Sequence, residues 1–174
     1  NYRCNRSSHA LCLTLQITVG GSAGKEVLLH NGPISMHASI GRKGFVAGET
    51  ITLHVSVDNQ TDAVVKPRVA LHQTQIYMCG NRHRGLEYAV TKEPILGAPI
   101  EPHSKSDQVL ALAIPADQAL TIKSSVISVK YFVQVTLDIP QAFDLVVKLP
   151  VVLTSQQVME QLHAKKNLPE RAGD

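Results

Sequence analysis

The 174-residue sequence contains no tryptophan, and aromatics make up only 4% of it. The interleaved basic and aromatic surface of a nucleic-acid binder therefore has little to build on. Charge of one sign is also missing: 17 Lys and Arg stand against 14 Asp and Glu, too small a surplus for a phosphate-backbone footprint. No run approaches the ~20 consecutive apolar residues of a membrane-spanning helix. Cysteine is scarce and odd in number, Cys4, Cys12 and Cys79, whereas a disulfide-scaffolded secreted module carries more, in pairs. A reducing compartment is the expectation. Two Asn-x-Ser/Thr sequons, at Asn5 and Asn59, point the other way, but the pattern recurs by chance. Arg3 and Arg6 precede an uncharged stretch from Ser7 to Gly24, the outline of a signal peptide. His9, Thr14, Gln16 and Thr18 interrupt it, and its apolar residues alternate as a strand's do. The first residue is Asn1 rather than Met, which leaves the chain open to reading as a fragment.

What is present is 44% apolar residues in a chain long enough for one domain that needs no staples. The dominant pattern has a period of two. Ile51, Leu53, Val55 and Val57 alternate with Thr52, His54, Ser56 and Asp58, the signature of a half-buried strand. Val126–Leu137 repeats it, and similar runs occupy Leu11–Val19, Ile34–Ile40, Arg68–Met78, Val109–Ile114 and Phe143–Leu153. Breakers separate them: glycines between Gly41 and Glu49, the turn Asn59-Gln60-Thr61-Asp62, the prolines at 94, 99 and 102, Pro115-Ala116-Asp117 and Pro140-Gln141. Many short strands without crossover helices predict an all-β fold, an antiparallel immunoglobulin-like sandwich. One short C-terminal helix is expected, capped by Thr154 with Gln157, with Val158, Met159 and Leu162 as its apolar stripe and Lys165 and Lys166 at its end. Residues 167–174 read as a disordered tail.

Candidate chemistry is sparse. Gly20-Gly21-Ser22-Ala23-Gly24 matches the G-x-S-x-G nucleophile elbow, but only seven residues separate it from Gly32-Pro33, and the required helix does not fit there. A flexible turn is the plainer reading. Cys4, His9 and Cys12, joined by Cys79 and His83, could supply zinc ligands, yet no C-x₂₋₄-C pair is present. His54 and His72 sit on the polar sides of two strands, with His37 able to join them, as a metal or pH-sensing set. Basic residues gather at Arg42-Lys43, at Lys66 with Arg68, and at Arg82-His83-Arg84. These are solvated loop rims unless they meet anionic lipid heads or phosphorylated peptides, whose geometry suits the Arg fork.

From Gly32 onward the sequence resembles the C-terminal arrestin-fold domain of the α-arrestins, the arrestin domain-containing proteins. The resemblance rests on blocks in order: Gly32-Pro33-Ile34-Ser35, Arg42-Lys43-Gly44-Phe45, Gly48-Glu49 and Asp58-Asn59, then Val64-Val65-Lys66-Pro67, Gln73-Thr74-Gln75 and Tyr77. Val129-Lys130-Tyr131, Leu137-Asp138-Ile139-Pro140 and Leu149-Pro150-Val151-Val152 follow. It implies a sandwich over 32–154, preceded by a divergent segment or inter-domain linker at 1–31 and followed by a short helix and tail at 155–174. It further implies a non-enzymatic, cofactor-free adaptor, cytoplasmic and peripheral to the plasma membrane and endosomes. Such an adaptor brings cytoplasmic tails of receptors or transporters to ubiquitination and endocytosis. The alternative is a structural scaffold subunit with a retromer-like arrestin fold. Lys66, Arg68, Arg82 and Arg84 are the residues expected to recognise acidic or phosphorylated segments, with weak contact to anionic membrane and none to nucleic acid. A HECT-type ligase partner would need a Pro-Pro-x-Tyr motif, and these residues contain no Pro-Pro pair. The segment from Gly80 to Asp107 reads as a shortened loop.

Overall fold

Alternating side chains become buried and exposed rows in a computed structural model, which describes residues 14–166 and, at positions 162, 163, 165 and 166, the backbone alone. Eleven strands are present among the described residues: β1 Val19–Val27, β2 Gly32–Ile40, β3 Gly44–Val46, β4 Thr50–Asn59, β5 Lys66–Cys79, β6 Arg82–Ala89, β7 Ile95–Leu96, β8 Ser104–Ala113, β9 Ile122–Lys123, β10 Ile127–Asp138 and β11 Leu145–Thr154. They form two sheets, β1-β2-β4-β8 and β3-β11-β10-β5-β6, with β7 added to β5 and β9 to β10. All pairs are antiparallel except β3 with β11. The inward rows, such as Leu53 and Val55 of β4, Leu71 of β5, Val133 and Val135 of β10 and Leu149 of β11, meet in one continuous core. The all-β sandwich is the fold that the period of two predicts.

Three elements differ from expectation. The strand expected over 11–19 begins only at Val19: Thr14 and Leu15 lie in a helical turn, and residues before 14 are outside those described. Leu15 is buried instead against Met159 and against Gly44, where a Cβ would lie 2.8 Å from its own Cβ. The glycine-rich stretch read as a flexible turn is the middle of β1, paired with β2 over nine positions although it lies within 1–31. Gly21 faces β11 so closely that a Cβ there would stand 2.8 Å from Val147 Cγ1. The segment read as a loop after Gly80 carries β6, β7 and the start of β8.

The C-terminal helix α1, Gln156–Lys166, is capped by Ser155 rather than Thr154. The Ser155 hydroxyl accepts from Val158 N at 3.4 Å, and its carbonyl accepts from Met159 N at 3.2 Å. Thr154 is unavailable as a cap because it is the last residue of β11, paired with Val46. Of the expected apolar stripe, Met159 is buried and Val158 partly so; Leu162, Lys165 and Lys166 fall among the side chains outside the described set.

Candidate docking site

The four basic residues singled out in the sequence do not converge. Lys66 and Arg68 open β5 on the outer face of its sheet, where Arg68 donates through Nε to Asp138 at 2.7 Å and through Nη2 to Asp144 at 3.3 Å. The Asp138 carboxylate beside it pushes the guanidinium pKa further up. Arg84 lies opposite Tyr77 and Arg82 opposite Cys79, nine and eleven residues further along β5 than Arg68, separations of about 30 and 36 Å at ~3.3 Å per residue. Residues 67, 69, 71 and 73 of β5 point into the core, so the side chains at 77 and 79, and those of Arg84 and Arg82 opposite them, extend that inward face. Lys66 and Arg68 occupy the other one. Arg68 is a structural ion pair, whereas Lys66, Arg82 and Arg84 have no ion-pair partner among the described residues, and of these only Arg82 and Arg84 stand together.

The far half of β5 and the whole of β6 form a wing beyond the opposing sheet. That sheet ends at β8, which faces β5, and all eight residues of β6 are exposed. Hydrogen bonds stiffen the root of the wing. Gln75 Nε2 donates to Tyr88 OH at 2.9 Å and to Gln73 Oε1 at 2.6 Å. Tyr77 OH donates to Gln75 Oε1 at 2.7 Å, Tyr88 OH to Gln73 Oε1, and Gln73 Nε2 to the hydroxyl of buried Tyr131. Tyr131 in turn donates to the Ala119 carbonyl at 2.8 Å, and burial pushes its phenol pKa up. The exposed face so held presents Tyr77, Leu86, Tyr88, Arg82 and Arg84 side by side, and residues 76–86 contain no acid. Such a face offers amphipathic contact area from the tyrosines and planar forks for carboxylate or phosphate.

The other candidate constellations come apart. Ser22 is in a strand, not the strand-to-helix turn that an elbow requires. It shares a hydrogen bond with His37 Nδ1 at 2.8 Å, but the nearer carboxylate on that face, Asp58 opposite Ser35, is bound to Lys105 at 2.8 Å, and Asp107 is two strands from His37, about 10 Å at ~4.8 Å per strand, so no triad forms. His37 and His54 share the outer face of the four-stranded sheet; His72 lies on the outer face of the other one, so the three imidazoles are not neighbours. Cys79 and His83 occupy successive register positions and point to opposite faces, while Cys4, His9 and Cys12 are outside the described residues. Among the described residues no three His, Cys, Asp or Glu side chains gather as a metal site. The sequon at Asn59 is closed to a glycan: Asn59 is 0% exposed, and its Nδ2 donates to the carbonyls of Ala63 at 2.8 Å and Glu101 at 3.0 Å. The Asn5 sequon is outside the described residues.

Two features went unread in the sequence. At one end of the sandwich, Leu28 is 91% and Phe143 93% exposed, with Leu29 beside them. Phe143 was expected in a strand, which instead starts at Leu145. On the outer face of the seven-stranded sheet, His72 stacks on Phe132 with centroids 5.2 Å apart. Lys148 lies 4.5 Å over the same ring and 3.1 Å from Glu87. His72 Nδ1 is buried, has no hydrogen-bond partner, and is 4.0 Å from Glu87 Oε1. Burial lowers the His72 pKa below its ordinary 6.5, with Glu87 opposing the shift and Lys148 adding to it. Because the folded value is depressed, the unfolded chain takes up the proton first. Stability should therefore fall as pH drops through 6.5 toward the folded value, and be constant above it. Melting curves between pH 8 and 5 should show that decline, and His72→Phe, which keeps the stack, should remove its share. An unchanged pH slope in the variant would show that His72 does not carry it.

Comparison with known proteins comes to the same fold. Residues 30–158 match the family described as "Arrestin (or S-antigen), C-terminal domain". Arrestin domain-containing protein 4 of Homo sapiens is 29% identical over 124 residues, covering 71% of this chain and 29% of that protein. Arrestin domain-containing protein 1 of Homo sapiens is 30% identical over 130 residues, 72% of this chain and 28% of that protein. Thioredoxin-interacting protein of Sus scrofa is 22% identical over 134 residues, 75% of this chain and 33% of that protein. The chain thus spans about a third or less of the length of these relatives.

Proposed function

The chain belongs to the arrestin C-terminal domain family, and from that premise we propose that it is a non-catalytic adaptor module that holds cytosolic segments of membrane proteins during their trafficking. The observation that carries this reading is the wing: a rigidly rooted, fully exposed β6 whose Tyr88 and two unpaired arginines share one face with Tyr77 of β5. A face of this kind suits an extended, acidic or phosphorylated tail, because each Arg fork matches one anionic group. The module would work on the cytoplasmic side of the plasma membrane and endosomes, where such tails are found. Weak membrane contact would belong to the tip at Leu28, Leu29 and Phe143. It would act there through apolar side chains, since Lys25, Lys66 and Arg68 nearby are offset by Glu26, Asp138 and Asp144. Ligase recruitment through Pro-Pro-x-Tyr is not assigned to these residues, which lack the motif.

The test is binding of the full chain to a panel of immobilised cytosolic-tail peptides from receptors and transporters, with and without phosphorylation. Saturable binding to a subset is expected. A panel in which none binds overturns the adaptor reading. In the same assay Arg68→Gln should leave affinity within about twofold. It should cost at most about 1 kcal/mol of stability, since its ion pair with Asp138 is two-fifths exposed.

A further inference from the structure

The wing ends in a free strand edge. Among the described residues β6 is the last strand of its sheet, so every second residue turns its N–H and C=O away from β5 without a described strand to receive them. Natural sheets guard such edges with prolines, bulges, very short strands or charged side chains. β6 has only the last, in Arg82, Arg84 and Glu87, and its arginines repel a basic strand and admit an acidic one. Its pairing with β5 runs unbroken through eight positions, from Cys79↔Arg82 to His72↔Ala89, and residues 82–89 contain no proline. Its two faces differ. Arg82, Arg84, Leu86 and Tyr88 stand in a row on the face shared with Tyr77 and Gln75. The other face carries His83, Gly85, Glu87 and Ala89, where Glu87 is already bound to Lys148.

We propose that β6 docks its ligand by strand addition, taking an extended antiparallel peptide whose side chains read the Arg82–Arg84–Leu86–Tyr88 row. This inference rests on the adaptor reading and gives its site a ligand class. Directly opposed residues on antiparallel strands bring their Cβ atoms to ~5 Å, so the added peptide must carry its matching groups two residues apart. In the antiparallel sense its N-terminal end lies beside Tyr88 and its C-terminal end beside Arg82. The pattern is apolar-x-apolar-x-acidic-x-acidic, the acidic positions being Asp, Glu or a phosphorylated hydroxyl residue. The Arg82 and Arg84 forks bind the two anions, Leu86 and Tyr88 take the two apolar side chains, and main-chain hydrogen bonds to the β6 edge supply affinity that does not depend on sequence. Two features favour a peptide as the occupant. Arg82 and Arg84, both without an ion-pair partner, lie in a single row whose spacing is that of a strand, and residues 76–86 around them hold no carboxylate.

The experiment uses the full chain and a fluorescein-labelled peptide, Leu-Thr-Val-Thr-Glu-Thr-Glu, followed by fluorescence anisotropy and by amide hydrogen exchange with mass spectrometry. Binding should slow exchange across residues 82–89. Arg82→Glu/Arg84→Glu should weaken it by about tenfold or more, the scale of two lost charge-assisted contacts. The reversed peptide, Glu-Thr-Glu-Thr-Val-Thr-Leu, should bind several-fold less well. Both substituted side chains are exposed, so a circular dichroism spectrum suffices to show that the variant folds. Binding without protection of 82–89 would overturn strand addition in favour of plain charge contact, and equal binding of the reversed peptide would overturn the antiparallel pattern. If cytosolic tails bind Arg82→Glu/Arg84→Glu as tightly as the native chain, the adaptor reading stands and this site falls.

Discussion

Asn59→Ala should lower the unfolding midpoint by about 10 °C. The side chain is the centre of a buried polar knot where β4 ends. Its Nδ2 donates to the carbonyls of Ala63 and Glu101, and at 3.4 Å to that of Ile100; its Oδ1 accepts from Thr61 N at 3.2 Å and Thr61 Oγ1 at 2.6 Å. Thr61 is as fully buried as Asn59 itself, so water has no access to replace these partners. Each buried donor or acceptor left without a partner costs about 1–3 kcal/mol. Two or three such groups give roughly 3–4 kcal/mol, and a domain of this size loses about 2–4 °C per kcal/mol. Asn59→Asp should be no milder, because it removes every Nδ2 donation and turns a carboxylate toward the same carbonyl oxygens. Calorimetry of the two variants checks both statements. A shift of under about 3 °C for the alanine variant would mean that the knot rearranges rather than breaks.

Gly32→Ala should be destabilising by a similar mechanism seen from the other side. Gly32 opens β2 directly against the same knot: a Cβ there would lie 2.2 Å from the Gln60 carbonyl oxygen and 2.9 Å from its carbon. Both are backbone atoms held by Gln60 N donating to Pro33 O at 3.1 Å, and by Asp62 N donating to His30 O at 2.9 Å. The contact cannot be relieved by a side-chain rotation, so β2 or the turn must move. Overpacking of this kind costs about 1–3 kcal/mol and sometimes more, and the backbone location places Gly32→Ala at the upper end. Gly41→Ala and Gly85→Ala, whose Cβ positions meet nothing within 4 Å, are the controls and should be neutral or slightly stabilising. Since Gly32 and Asn59 brace one turn, their double variant should lose less than the sum of the singles. Strict additivity in thermal melts would show that the two act on separate structures.

The strands legible in the sequence are those with one face in the core, because only burial enforces a period of two. β2, β4, β5, β10 and β11 each carry that signal through most of their length. β1 and β6 do not, for opposite reasons. β1 uses Gly20, Gly21 and Gly24, which have no side chain with which to register an alternation. β6 is wet on both faces, so nothing selects apolar residues on either. The arginines of the wing were visible as charges. Their distance from Arg68 was not, since only the register of β5 with β6 decides which end each occupies. Asn59 did leave a trace. It continues the row Ile51, Leu53, Val55, Val57, and an amide on an inward row signals a buried partner set rather than a glycan site.

The long pairing of β5 with β10 also sets the order of events during synthesis. Its twelve register pairs join residues separated by 50 positions at Tyr77↔Ile127 and by 72 at Lys66↔Asp138. At ~5–20 residues per second, β5 leaves the ribosome several seconds before the last of β10 exists. Through that interval β5 can pair only with β6 and the two-residue β7, little more than an isolated hairpin, the least stable unit of a sheet. The edge that finally receives β10 is therefore exposed in the nascent chain, and with it the inward row of Val69 and Leu71. The same hairpin that serves the finished protein as a wing is thus the first part of its sheet able to form, and the part most in need of shielding while the rest is made.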